Sequence, residues 1–239
     1  RISISKGDQI QEVSIEPFST NALPLLDESA KLQLSVGDDW LPIKDISIAR
    51  AGAVSFWVLG YKPSNKNHSV RIIVEVIDTG SSKMVQVHSD QQILNHTSIA
   101  VNISGFVIKS QQSLWLPAFS YDPSSLLRVS VAGSSSKAFL DFSQDTSWLM
   151  FNSKDNGPLL CFQAERRKEL CNAYAIHLKP TRTVQNLLSV SCKLLCTIRN
   201  SSWQDQSPVM SPSDEHPLMI DPKEDIQLQI ILPFMESVG

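Results

Sequence analysis

The fold class is decided by the stretch His68-Ser69-Val70-Arg71-Ile72-Ile73-Val74-Glu75-Val76-Ile77-Asp78. Within it, Val70, Ile72, Val74 and Val76 occupy every second position. Successive side chains of a β-strand point to opposite faces of the sheet, so residues two apart share a face. The stretch therefore predicts a strand that buries one apolar face.

The same alternation recurs along the chain, in five- to nine-residue runs bounded by Gly, Ser, Asp, Asn or Pro. It is found at Leu32, Leu34 and Val36, at Val85 and Val87, at Ile99, Val101 and Ile103, and at Ile226, Leu228 and Ile230. This pattern is typical of antiparallel strands joined by turns. The best helical candidate, Gln163–Cys171, has the all-charged centre Glu165–Glu169 and no apolar stripe, so we interpret it as an exposed hairpin connection. The sequence predicts an all-β chain.

The chain also resembles itself at offsets that drift by only a few residues. The matches are Leu23-Pro24-Leu25 with Leu116-Pro117-Ala118, Leu32–Val36 with Leu127–Val131, and Val85-Gln86-Val87 with Ile176-His177-Leu178. Matches in a fixed order indicate tandem repeats. We expect β-sandwich repeats at 1–105 and 106–202. Residues 203–239 are then a linker and the start of a third repeat at His216-Pro217-Leu218, or closing strands. The Pro- and Ser-rich part, Ser202–Asp225, is typical of a linker or long loop.

Composition excludes several classes of protein. Hydrophobic residues make up 42% of the 239 residues, enough for a folded core. The formal net charge of −3 supplies no basic field, so we expect no nucleic-acid partner. Since no run of 18 apolar residues is present, we expect no transmembrane helix and a soluble chain.

We find no catalytic, metal or cofactor site in the sequence. The five histidines lack metal-ligand spacing, although His88 and His96 can approach across a turn. No Gly-x-Ser-x-Gly elbow or glycine-rich phosphate loop occurs. Cys192 and Cys196 share one face of a predicted strand about 13 Å apart, which is too far for a disulfide or a shared metal ion. We interpret both as core residues and the chain as a non-enzyme, with a hydrolase whose catalytic residues are dispersed along the sequence as an alternative.

Two features leave other interpretations open. Asn-x-Ser/Thr triplets at Asn67, Asn95, Asn102 and Asn200 fit a secreted or lumenal, glycosylated β-sandwich protein that binds carbohydrate or protein. The basic run Arg166-Arg167-Lys168 suits a phosphate or lipid head group, or a solvated hairpin tip. The absence of a repeating cysteine framework instead favours a reducing, cytosolic setting.

Asn95 and Asn186 occupy the same place in the two copies, just ahead of a predicted strand. An asparagine there commonly bonds to neighbouring backbone groups and holds a turn or bulge. We therefore interpret the two as structural repeat asparagines, not as residues that touch a ligand.

A family resemblance rests on these segments: Ile93-Leu94-Asn95-His96-Thr97, the Leu116-Pro117 loop, the strand Leu127–Val131, and Val184-Gln185-Asn186-Leu187-Leu188. In this order of features the chain resembles the adaptor-binding domain of the vacuolar protein sorting thirteen family of bridge-like lipid transfer proteins. That domain is a string of β-sandwich repeats, each with a characteristic asparagine. The chain departs from it where Leu187-Leu188 replaces His96-Thr97 and where Glu165–Glu169 has no counterpart in the first copy.

The resemblance implies a recruitment module without catalysis or cofactor. Its partners are organelle adaptor proteins, in several cases through Pro-x-Pro peptides, and its membrane association is indirect. It implies a cytoplasmic protein, peripheral at organelle membranes of the Golgi or endosome. Addition of an extended peptide to an exposed sheet edge is a sensible mechanism. The sequence assigns no adaptor-binding residues.

Overall fold

A computed structural model describes residues 2–6, 9–13, 31–60, 69–80, 82–117, 126–152, 160–199 and 204–232. These residues form 21 strands and one three-residue 3₁₀ turn at Leu170–Asn172. The predicted all-β fold is confirmed, and every strand pair whose register is determined is antiparallel. Among the described residues, none lies in a helix with the length and apolar character needed to cross a bilayer.

The chain divides into two compact units. The first consists of Arg1–Gln92, Trp115–Asp122 and Lys168–Tyr174, and the second of Ile93–Leu114, Pro123–Arg167 and Ala175–Gly239. The repeat boundaries at 105/106 and 202/203 stay predictions.

The described residues of the first unit form two sheets. One sheet has the order β2-β1-β3-β4, from β1 (Ile2–Lys6), β2 (Gln9–Val13), β3 (Lys31–Leu34) and β4 (Ile43–Ser47). The other has the order β5-β6-β7, from β5 (Gly52–Leu59), β6 (Ser69–Asp78) and β7 (Lys83–Ser89). The stretch that decides the fold is thus the central strand of a three-stranded sheet.

The core of the first unit lies between these sheets. Leu32 and Leu34 of β3 belong to one buried cluster with Ile72, Val74 and Val76 of β6. These are the alternating positions that the sequence places on one face, so this prediction is confirmed. Burying such side chains contributes about 1.5–3 kcal/mol each, which makes the packed faces the main stabilising feature of the unit.

The later strands lie wholly or mostly in the second unit. They are β8 (Gln91–Asn95), β9 (Val101–Ile103), β10 (Phe106–Ile108), β11 (Ser113–Trp115), β12 (Leu127–Val131), β13 (Ala138–Leu140), β14 (Thr146–Phe151), β15 (Leu160–Lys168), β16 (Tyr174–Pro180), β17 (Arg182–Gln185), β18 (Lys193–Ile198), β19 (Gln204–Gln206), β20 (Glu215–Leu218) and β21 (Ile226–Ile231). Their sheets have the orders β10-β9-β12-β13, β11-β8-β16-β15-β14, β17-β20 and β19-β18-β21. The order β10-β9-β12-β13 repeats β2-β1-β3-β4 of the first unit.

Two segments are more regular than their composition predicts. The charged run at Glu165–Lys168 continues β15, so the interpretation of Gln163–Cys171 as a hairpin connection is wrong over most of its length. Here Glu165 accepts bonds from Arg167, two residues on, and from Lys179 of the next strand, so charge stabilises the polar end of β15. The predicted linker Ser202–Asp225 contains β19 and β20, which pair with β18 and β17.

Candidate functional site

The Asn95 side chain bonds the backbone of two segments, the loop that follows it and the returning segment at Ile108 and Lys109. Its amide nitrogen donates to the carbonyls of Ile99 at 2.8 Å, Ile108 at 3.1 Å and Lys109 at 3.1 Å. Its amide oxygen accepts from the N–H of Thr97 at 3.1 Å and from the Thr97 hydroxyl at 2.6 Å. Asn95 is buried, so this one side chain satisfies backbone groups that water does not reach.

Asn186 makes the same bonds in the later part of the unit. Its amide nitrogen donates to the carbonyls of Val190 at 3.0 Å, Met210 at 3.0 Å and Ser211 at 3.1 Å, and its oxygen accepts from the Leu188 N–H at 3.0 Å. The returning segments match too. The N–H of Gln111 donates to the Asn95 carbonyl and the N–H of Ser213 to that of Asn186, each at 2.8 Å.

Gln111 and Ser213 also share a left-handed backbone, with φ of 58° and 73°. A non-glycine residue adopts this conformation rarely. Its recurrence at corresponding positions indicates that the two segments form the same type of turn. The structure places both predicted asparagines in this setting, where each holds strand ends together.

The geometry bears on the glycosylation triplets. The amide nitrogen of Asn95 donates three internal bonds, so a glycan attached there is incompatible with this fold. Asn102 lies half-buried on β9, and its oxygen accepts from the Gly105 N–H at 3.0 Å. Asn67 and Asn200 lie outside the described residues. The asparagine of the Asn95 triplet is therefore explained by its structural hydrogen bonds and not by glycosylation.

The described histidines each have a distinct partner. His96 Nε2 and His177 Nδ1 lie 2.9 Å apart, whereas the His88 ring stacks on Trp115 with centroids 3.7 Å apart. His216 Nε2 lies 3.5 Å from an Asp205 carboxylate oxygen. In the part of the chain that the structure describes, no three His, Cys, Asp or Glu side chains group as a metal site.

All four cysteines are thiols. Cys192 and Cys196 are buried in apolar clusters with Leu194 and Leu218 respectively, which confirms their prediction as core residues. Burial raises the pKa of the Cys161 thiol to about 11, with a smaller contribution from Asp221. A thiol kept protonated in this way is a poor nucleophile.

The basic run is partly paired with an acidic residue of the same strand. Arg167 donates to Glu165 at 2.8 Å, and Lys179 also bonds the Glu165 carboxylate. These bonds, with that of Arg167 the larger effect, lower the pKa of Glu165 to about 2. Arg167 is thus already paired with a carboxylate of its own strand, which favours the interpretation of the run as a solvated surface.

The outer edge of β5 is the strongest candidate for binding. In the described residues β5 has one strand neighbour, β6, so its other side is an edge. The edge is closed at two points, where the Leu59 carbonyl accepts from the Leu41 N–H at 2.9 Å and the Ala53 carbonyl accepts from the Cys171 thiol at 2.9 Å. Backbone groups of a strand alternate in direction, so those of Ser55 and Trp57 also point outward.

No described residue bonds the outward groups of Ser55 and Trp57, which leaves a short open window between two closed points. The Trp57 side chain beside it is 64% exposed. The Arg71 guanidinium lies over the Trp57 ring, 5.6 Å from its centroid, and pairs with Asp90 at 3.1 Å. Arg71 also donates to the Asn172 carbonyl. The guanidinium that contacts the indole is therefore itself held by two partners.

Strand β14 has the matching position at the edge of its own sheet and also exposes large apolar side chains, Trp148 and Met150. Sequence reasoning assigned no binding residue to either strand. The signal was present in Trp57 and Leu59, which alternate with the buried Val58 and so place large apolar side chains on the outer face. No protein-family model matches the chain, and no curated protein matches it either.

Proposed function

We propose that the chain is a non-catalytic interaction module that binds an extended, proline-containing peptide of an adaptor protein at the β5 edge. The observation that carries this proposal is the open window at Ser55 and Trp57 beside an exposed, supported indole. An open strand edge supplies main-chain hydrogen bonds, and an adjacent aromatic side chain supplies selectivity. We propose further that this binding recruits a bridge-like lipid transfer protein to an organelle membrane of the Golgi or endosome.

The size of the window suits a short motif. The closed points at Ala53 and Leu59 leave the outward groups of two residues, which pair with only a few peptide residues. A Pro-x-Pro segment offers the N–H of its central residue to β5, while its prolines, which have no N–H, need none of the remaining acceptors. A proline ring then packs on the Trp57 indole, as in other aromatic-lined proline sites.

Direct peptide binding tests the proposal. Fluorescence anisotropy with a labelled Pro-x-Pro peptide is expected to show saturable binding that Trp57→Ala weakens by about tenfold or more, since aromatic anchors dominate small interfaces. Trp148→Ala is the matched control, because this tryptophan is also exposed but lies on β14. Equal loss in both variants, or in neither, would contradict the assignment to β5.

A change in the peptide separates strand addition from simple indole packing. N-methylation of the residue between the prolines removes the one donor that the β5 edge accepts and leaves the side chains unchanged. We expect the affinity to fall at least as far as with Trp57→Ala. An N-methylated peptide that binds as well as its parent would exclude strand addition.

The adaptor protein and the organelle need a separate experiment. The chain is used to capture proteins from cytosol and from detergent-solubilised membranes, with Trp57→Ala in parallel. Capture of an organelle adaptor that the Pro-x-Pro peptide displaces supports recruitment and names the organelle. Capture of glycoproteins or glycans instead would favour the secreted or lumenal alternative.

A further inference from the structure

The two asparagine networks define which positions of the second unit correspond. Val101 follows Asn95 by six residues and pairs with Ile108, and Cys192 follows Asn186 by six and pairs with Met210. Two residues later, Ile103 pairs with Val129 of β12, and Leu194 pairs with Ile230 of β21. Ile230 therefore corresponds to Val129, and Leu228 to Leu127.

The corresponding residues differ sharply in exposure. Leu127 and Val129 are 5% and 0% exposed, whereas Leu228 and Ile230 are 48% and 52% exposed. Leu228 and Ile230 pair with the buried Cys196 and Leu194, and directly paired residues of antiparallel strands project to the same face. They therefore stand on the core side of their sheet without the cover that Leu127 and Val129 have.

The loops after the two asparagines differ in the same way. Thr97 is fully buried, but the corresponding Leu188 is exposed, and so is its neighbour Leu187. Exposure is not general to this part of the chain. Val209 and its counterpart Val107 are both exposed, which identifies an ordinary surface position on both hairpins. The contrast is found at Leu187, Leu188, Leu228 and Ile230, and we name these four residues the open core face.

Other parts of the chain show what kind of structure covers such a face. In the first unit, Leu32 and Leu34 of β3 are buried in one cluster with side chains of β5 and β6, two strands of a three-stranded antiparallel sheet. In the second unit, β14, β15 and β16 are consecutive strands of one sheet, and Leu149, Phe151 and Phe162 are buried on them.

We infer that the open core face is the docking surface for a further β-module, a three-stranded antiparallel sheet with an apolar inner face like that of β14, β15 and β16. Backbone pairing supports the same partner. Strand β8 pairs with β16, and the His96 N–H donates to the Leu178 carbonyl at 2.8 Å. In the described residues, β17, which corresponds to β8, pairs with β20 alone. The docking sheet thus adds its third strand to β17 and lays its inner face on Leu228 and Ile230.

Stability of the chain alone provides the first test. Leu228→Asp with Ile230→Asp places charges where water already reaches, so we expect the midpoint of urea unfolding to stay close to the parent value. Leu127→Asp buries an unpaired charge at the corresponding covered position and is expected to lower the midpoint strongly. Equal losses in both variants would mean that the face is already covered, which overturns the proposal.

A chain that carries a second copy of its own residues 132–180 after Gly239 provides the second test. These residues contain β13 to β16, so docking is expected to slow hydrogen exchange at Leu187–Val190 and β21 by about tenfold or more. Leu228→Asp with Ile230→Asp should abolish this protection, and Val209→Asp, the matched control, should keep it.

Two results would overturn the proposal. In one, the added residues exchange like an unfolded peptide and leave β21 unprotected. In the other, the parent chain forms a dimer that Leu228→Asp with Ile230→Asp dissociates, which assigns the face to a second copy of the chain. Sedimentation of the parent chain and of this variant detects the dimer.

Discussion

Asn95 and Asn186 hold the same three carbonyls of their surroundings: the one four residues ahead and two consecutive ones on the returning segment. Each uses one amide nitrogen for all three. Since a side-chain amide has two N–H groups, three acceptors occupy its full donating capacity. No other neutral side chain of this size offers two donors and an acceptor in one plane.

Replacement of either asparagine is expected to destabilise the chain. Asn186→Ala removes the amide's bonds to the carbonyls of Val190, Met210 and Ser211 and to the Leu188 N–H, which is expected to cost about 1–3 kcal/mol. Chemical denaturation measures the loss, with Asn102→Ala as the control, because that half-buried side chain makes a single bond to Gly105. Asn95→Ser with unchanged melting would count against the structural role.

His88 is expected to make stability depend on pH. Burial beside Trp115 lowers the pKa of His88 below its ordinary value of 6.5, although Ser89 and Glu75 act in the opposite direction. The unfolded chain therefore takes up the proton first, so stability is full above pH 6.5 and falls as pH decreases toward the folded-state pKa. His88→Phe keeps an aromatic ring and is expected to reduce this slope. A variant as pH-dependent as the parent over that range would exclude the effect.

Glu165 is expected to titrate far below an ordinary carboxyl. Its pKa of about 2 in the folded chain is depressed from 4.5, first by Arg167 and then by Lys179. The stability it provides is present above pH 4.5 and is lost as pH falls through that value toward 2. Carboxyl NMR should locate the titration, and Arg167→Met should move it upward. A Glu165 signal that titrates near 4.5 in the parent would show that the cluster is not formed.

The thiols are expected to react in an order set by burial. Cys161 is buried and its pKa is raised to about 11, so it has almost no thiolate at neutral pH. Cys171 is only half-buried in its 3₁₀ turn. Brief alkylation of the folded chain followed by peptide mass spectrometry should label Cys171 first and Cys161 last. Similar labelling of both before unfolding would contradict the packing around Cys161.

Alternation predicted the strands well, because a period of two is a local property of the chain. It also placed Ile72, Val74 and Val76 in the core. Charge pattern failed at Glu165–Lys168, because the partner that stabilises this strand, Lys179, comes from another strand and is invisible to local composition. The sequence predicted Leu228 and Ile230 as a strand face, but whether such a face is covered depends on which sheet packs against it.

The asparagines were found from sequence because position and residue type recur together. Their partners were not, since the carbonyls of Ile108 and Met210 carry no residue-specific signal. The window at Ser55 and Trp57 was missed for a related reason. An open edge is defined by backbone groups that the rest of the fold leaves unpaired. The amino-acid sequence does not show which backbone groups these are.

The spacing inside the two asparagine networks differs greatly. Nine positions separate Ile99 from Ile108, whereas twenty separate Val190 from Met210, yet the same amide bonds both ends. The intervening hairpin is therefore free to lengthen, because the asparagine fixes only where the chain leaves and returns. Each copy can therefore acquire its own insertion in this hairpin without disturbing the bonds of its asparagine. The copies can then differ in surface and specificity while they keep the same fold.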